Sequence, residues 1–424
     1  MLRSFIISLT ICWASQAAAF CGFYVAQDDG ELYNTASKVV FVRDGYRSRI
    51  TMASDYTGPT SEFAMIVPTP NVLEEKQIRT VDPAAVAHLE NYTAPRLVEY
   101  FDYDPCAPQM VFESPAVMAA PVENAAPSTP RRGRAALGVR VEAEYSVGEY
   151  DIVILSAQQS DGLITYLRQE SYTIPDGAED TLAGYIAMDM KFFVARVNLE
   201  RHAQGQSQDL RPLQISFRSP NFMLPLQLGK INSTGTQDLL MLMLTREGRV
   251  EAENYPNARI PSDVTVPTFV EDMFGQFYRD MFAKNAAPNT VMTEYAWDMG
   301  WCDPCAADPL NIHELRDLGA VWVKSAKSNP SEDVFVTRLH IQYDRDEFPE
   351  DLMFRVTDDN SNFQGRYIMN QPFEGELTCE AGQAYLARKR DEIRADALAL
   401  RELTNWRQSD IDRLISASVP ARFR

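Results

Sequence analysis

"VFVTRLHIQYD", Val334–Asp344, alternates. Phe335, Leu339, Ile341 and Tyr343 fall on one face of a strand, and Arg338, His340 and Gln342 on the other. Outward from it the same period recurs. "KVVFVRDGYRSRITMAS" (Lys38–Ser54) places two strand-like runs around Asp44-Gly45, a pair that tolerates the positive φ of a tight hairpin turn. "EFAMIVPTP" (Glu62–Pro70) reads as a buried strand ended by prolines. "GVRVEAEYSVGEYDIVILSA" (Gly138–Ala157) alternates and then runs apolar. "KFFVARVNL", "QISFRSPNFMLPLQL", "LMFRV" and "NFQGRYIM" read as further strands. "QDLLMLMLT" (Gln237–Thr245) is the most apolar stretch, and its length suits a buried strand.

Helix signals lie between these runs. "DPAAVAHLENY" has Asp82 as N-cap and Pro83 at the first helical position, and "APRLVEYFDYDPC" is expected to continue it after a break at Pro95. Asp161–Tyr172 and Ala178–Asp189 read as helices. After Trp301 a short helix is expected, capped by Asp308, opened by Pro309 and closed by Gly319, with Ile312 and Leu315 on one face. Gly382–Leu403 reads as a long charged helix with Leu386, Ile393, Ala397 and Leu400 on its apolar stripe, and a last helix starts at the cap Ser409. Strands mixed irregularly with helices predict an α+β fold, with mixed or antiparallel sheets, several helices and a C-terminal helical segment. The expected division is 1–19 leader, 20–106 N-terminal α+β block, 107–138 insert, 139–300 central strand-rich region, and 301–424 cysteine-containing strands with C-terminal helices. The insert is rich in Ala and Pro and reads as an exposed, mostly disordered linker.

The chain has 424 residues and a formal net charge of −19. Such a surface repels a phosphate backbone, which argues against nucleic acid as a partner. The N-terminus carries Arg3, an apolar run Phe5–Ala14 and small residues Ala17–Ala19. That pattern reads as a signal peptide cleaved after Ala19, placing the mature chain in the periplasm or outside the cell. No later stretch reaches the roughly 20 apolar residues of a membrane helix.

Of six cysteines, Cys12 would leave with the leader; Cys21, Cys106, Cys302, Cys305 and Cys379 remain as candidate disulfide cysteines. Cys21 and Cys106 bracket the first block and are expected to pair. "WCDPC" (Trp301–Cys305) has the Trp, both Cys and the Pro of the thioredoxin redox motif. Three readings stand for it. The majority reading is a tied-down loop: Cys302 or Cys305 pairs with Cys379, or the two pair together, with Trp301 over the sulfur. In the redox alternative Cys302 is the nucleophile and Cys305 the resolving thiol. A metal site would need Cys379 with His313 or His340. Among the four histidines, His88, His202, His313 and His340, no HExxH pair occurs. His340 beside Arg338 reads as a structural histidine rather than a base or ligand. No catalytic set and no cofactor or metal motif emerges. The function expected is a non-catalytic exported module that binds a protein or cell-envelope partner; the alternative is an extracytoplasmic thiol–disulfide oxidoreductase using Cys302 and Cys305.

"FCGFYVA", "FAMIVPTP", "APRLVEYFDYDPC", "MKFFVARV", "FMLPLQLG", "LTREGRVEAENY", "YAWDMGWCDPC", "TRLHIQYDRDEFPEDLMF" and "FQGRY" recur in order from Phe20 to about Cys379. Together they resemble the bacterial domain of unknown function 2330 family. The resemblance implies an exported bacterial protein of uncharacterised activity and supplies no catalytic residues.

Overall fold

In the computed structural model two β-sheets face each other across a shared core, and each carries helices on its outer face. The structure describes residues 23–26, 33–57, 63–107, 139–170, 172, 174–175, 177–204, 210–231, 235–301, 307–324 and 330–424. The larger sheet runs Asn257–Arg259, Val291–Asp298, Phe335–Tyr343, Gln237–Thr245, Tyr33–Asp44, Arg47–Thr57, Leu213–Arg218, Ile78–Thr80, with Phe363–Gln364 added beside Val291–Asp298. It draws strands from all three ordered blocks of the sequence. The second sheet is antiparallel throughout: Phe23–Ala26, Phe63–Thr69, Lys191–Val197, Tyr150–Ala157, Val139–Val147. The fold is α+β.

The layering explains the sequence pattern. Val39, Phe41, Ile50, Met241 and Ile341 of the larger sheet meet Val67, Ile152 and Phe193 of the smaller one in the shared core. Val40, Val42, Leu240, Leu242 and Val336 point the other way, against the helices Pro83–Thr93 and Ile312–Leu318. A strand covered on both faces needs apolar residues at every position, hence the unbroken run of Gln237–Thr245. Each Leu or Met buried there stabilises the fold by about 1.5–3 kcal/mol relative to exposure. The smaller sheet has its own outer helices, Ser160–Gln169 and Ala178–Ala187, packed through Leu163, Leu167, Leu182 and Tyr185.

The hairpin pairs Asp44 with Arg47 and places Gly45 at φ +56°. Asp82 caps the helix Pro83–Thr93, its carboxylate accepting the Ala84 N–H at 2.9 Å. Four sequence expectations are corrected. The stretch after Pro95 is not helix but the strand Arg96–Phe101, paired in parallel with Arg366–Gln371. The short helix Ile312–Leu318 is capped by Asn311, which forms a reciprocal box with Glu314; the helix closes at Gly319, φ +114°, as expected. The last helix, Gln408–Ser418, has Arg407 rather than Ser409 at its N-cap. Cys106 is bonded to Cys379, so it does not pair with Cys21. The 107–138 insert, beyond Ala107, lies outside the described residues, as does the leader.

Candidate functional site

The polar face of Phe335–Tyr343 is also covered. Its partner Val291–Asp298 carries a β-bulge: Thr293 pairs with Leu339 and Tyr295 with Arg338, so Glu294 is the extra residue. The bulge turns the fully buried Glu294 side chain in between Arg338 and His340. Glu294 Oε2 accepts from Arg338 Nε at 2.5 Å, and Oε1 meets His340 Nδ1 at 2.5 Å and the Tyr278 hydroxyl. His340 Nε2 meets Asp238 Oδ1 at 3.0 Å. The Phe282 ring stacks on the imidazole at 4.0 Å. Arg338 Nη1 also donates to the Glu90 carbonyl at 2.9 Å, tying the sheet to the C-terminal end of Pro83–Thr93.

Two carboxylates thus balance two cations in a line from the interior to Asp238, whose side chain is 42% exposed. Burial alone would lower the His340 pKa, but Glu294 and Asp238 outweigh it and hold it up at about 9. Burial would raise Glu294; His340 and Arg338 instead draw it down to about 2. Burial and the Glu294 charge push the Tyr278 hydroxyl well above its ordinary value. Both nitrogens of His340 are engaged by carboxylates. The arrangement locks a bulge beneath the helices Pro83–Thr93 and Phe274–Asn285 and leaves no atom of Glu294 facing an opening.

A second polar centre is built differently. At the Asp44–Arg47 end of the hairpin an open groove of about 570 Å³ is lined by Arg43, Phe222, Arg246, Glu253, Arg355 and Val356, among others. Arg43 forms its inner end. Its guanidinium donates to Ser48 Oγ at 2.7 Å and to the carbonyls of Ser219 and Pro220, each at 3.1 Å, and lies 5.2 Å from the Phe222 ring centre. Burial lowers its pKa from the usual arginine value. The cation therefore fixes the Ser219–Phe222 turn as one wall. The strand Leu352–Val356 lines the groove beside that turn, its Phe354 N–H donating to the Phe222 carbonyl at 2.8 Å, with Val356 exposed. Arg246 is held at the rim by Asp44 at 2.7 Å and by the Trp322 ring.

The cysteines divide. Cys106 and Cys379 form a disulfide, which removes Cys379 from any pairing with Cys302 or Cys305 and from a metal site with His313 or His340. Cys21, Cys302 and Cys305 lie outside the described residues. Trp301 is half-exposed and packs edge-on against Trp297 at 5.0 Å. Residues 307–311 are not helical, and the next helix starts only at Ile312. Among the described residues no group of three His, Cys, Asp or Glu side chains is arranged to hold a metal ion, and no helix is long and apolar enough to cross a membrane. Sequence reasoning singled out Arg338 and His340 but missed Glu294. Its only local signal is a glutamate inside the otherwise uncharged run Val291–Trp297.

Helices outside two facing sheets, a closed ionic quartet and an open groove define a layered α+β protein. The chain belongs to a family described as an uncharacterized protein conserved in bacteria (DUF2330), whose model matches residues 15–355. No curated protein and no solved structure matches it. The C-terminal helices and Cys379 lie beyond the matched residues.

Proposed function

We propose that this protein is an exported binding module that meets a partner in the cell envelope through the groove beside the hairpin turn. One observation carries the reading: the two polar centres use their groups in opposite ways. The quartet turns its charges on one another beneath helices. The groove presents Val356 and Met353 among Arg246, Glu247, Glu253 and Arg355 around an opening. Apolar groups ringed by charges of both signs suit a polypeptide segment with an apolar anchor between charged side chains. Export is supported by the N-terminal pattern, and a disulfide between distant cysteines suits an oxidising compartment.

A photo-crosslinking amino acid placed at Val356, and as a control at the exposed Leu398, tests this in intact cells that are then fractionated. We expect the chain outside the cytoplasm, beginning at Phe20, with a discrete adduct from position 356 and none from 398. Equal adducts at both positions, none at 356, or a cytosolic chain still beginning at Met1 would overturn the reading.

A further inference from the structure

The Cys106–Cys379 disulfide joins two unlike environments. Cys106 is exposed. It sits in a turn closed by the Ala107 N–H on the Asp104 carbonyl at 3.2 Å, and its own N–H donates to the Asp104 carboxylate at 2.8 Å. Asp104 is itself exposed, so solvent screens its charge. Cys379 is the N-cap of the 25-residue helix Glu380–Thr404, and the Gly382 N–H donates to its Sγ at 3.1 Å. That donor and the helix N-terminus favour a thiolate on Cys379. Glu380 in the same turn is exposed, and solvent screens it.

We propose that this bond is a directional thiol-exchange site. An external thiolate attacks Cys106 Sγ and forms a mixed disulfide there. The electron pair of the broken S–S bond leaves on Cys379 as a thiolate held by the Gly382 N–H. A second external thiolate then attacks the external sulfur of the mixed disulfide, releasing Cys106 as thiolate and an oxidised external disulfide. The external thiol is the reductant, and two of its molecules are consumed per bond opened.

The fold is arranged to survive the opening. Lys389, its side chain 3% exposed, holds Asp102 at 2.6 Å and Glu392 at 3.0 Å. The Tyr385 hydroxyl donates to Asp102 at 2.7 Å, and Arg96–Phe101 stays paired with Arg366–Gln371. The C-terminal helix therefore remains docked by non-covalent contacts. The inference rests on the proposed export only for its cellular setting, because the purified oxidised chain reacts or not wherever it comes from.

The test is to incubate the oxidised protein with reduced glutathione, quench in acid, and map the adducts by mass spectrometry. A second preparation carrying Cys21→Ser, Cys302→Ser and Cys305→Ser excludes exchange within the mature chain. Glutathione is expected on Cys106, with Cys379 free, in about ten-fold excess over the reverse adduct. The rate should not change in urea below the unfolding transition. Equal partition, glutathione on Cys379, no exchange in the folded protein, or a rate that rises in step with global unfolding would each overturn the proposal and leave the groove reading untouched.

Discussion

The quartet around Glu294 and the groove beside Arg43 are both polar, and both rest on strands of the same sheet. In the quartet a carboxylate is buried between two cations and its remaining acceptor capacity goes to a tyrosine hydroxyl. In the groove a buried cation is satisfied by a serine hydroxyl and neutral carbonyls, while the charged side chains stay at the rim. The difference teaches which polar residues hold the fold and which are free to meet something else. A closed network is unforgiving of losing one member, whereas an open rim tolerates change.

The largest effect is expected from Glu294→Gln, which leaves buried Arg338 without its counter-charge and His340 with Asp238 alone. Loss of about 3–5 kcal/mol in chemical denaturation is expected. Replacing Glu294, Arg338 and His340 together by apolar residues of similar volume should cost less than the single change. A triple variant less stable than E294Q would break the claim that the quartet is a matched set. Cys379→Ser comes next, at about 2–4 kcal/mol, read from the urea midpoint of oxidised protein.

The quartet also predicts a pH profile. His340 is raised from 6.5 to about 9 in the folded state, so its contribution is complete below pH 6.5 and is lost as pH rises through 9. Glu294 is lowered from 4.5 to about 2, so its contribution is complete above pH 4.5 and is lost as pH falls through 2. Both are present in full only between pH 4.5 and 6.5. Urea unfolding of wild type and His340→Gln across pH should therefore converge at high pH; parallel curves would contradict the assignment. Asp82→Ala removes a helix cap and should cost about 1 kcal/mol in the same assay. The smallest effect is expected at the groove: Val356→Arg should change stability by less than about 0.5 kcal/mol.

The legible parts of the fold are those written in short-range patterns. The alternation of Phe335–Tyr343, the Asp44-Gly45 hairpin and the Asp82-Pro83 helix start each need only a few neighbouring residues. Arg96–Phe101 was illegible because its partner Arg366–Gln371 lies about 270 residues away in sequence, and its apolar residues also fit a helix face. The bulge at Glu294 was hidden for a related reason: nothing in "VMTEYAWD" marks which residue goes unpaired until Leu339 and Arg338 are set opposite. Cys106 found Cys379 across a separation of 273, and spacing alone favoured the nearer bracket with Cys21. The groove needs three separate turns and a strand to exist at all.

The account divides holding the fold from meeting a partner, and one paired measurement tests that division. His340→Gln and Val356→Arg are each examined for urea stability and for photo-crosslinking from Met353 in intact cells, at a temperature where both remain folded. The account predicts that His340→Gln is destabilised by a few kcal/mol yet keeps the crosslink, while Val356→Arg keeps its stability and loses it. A crosslink that survives Val356→Arg, or that disappears in folded His340→Gln, would contradict it.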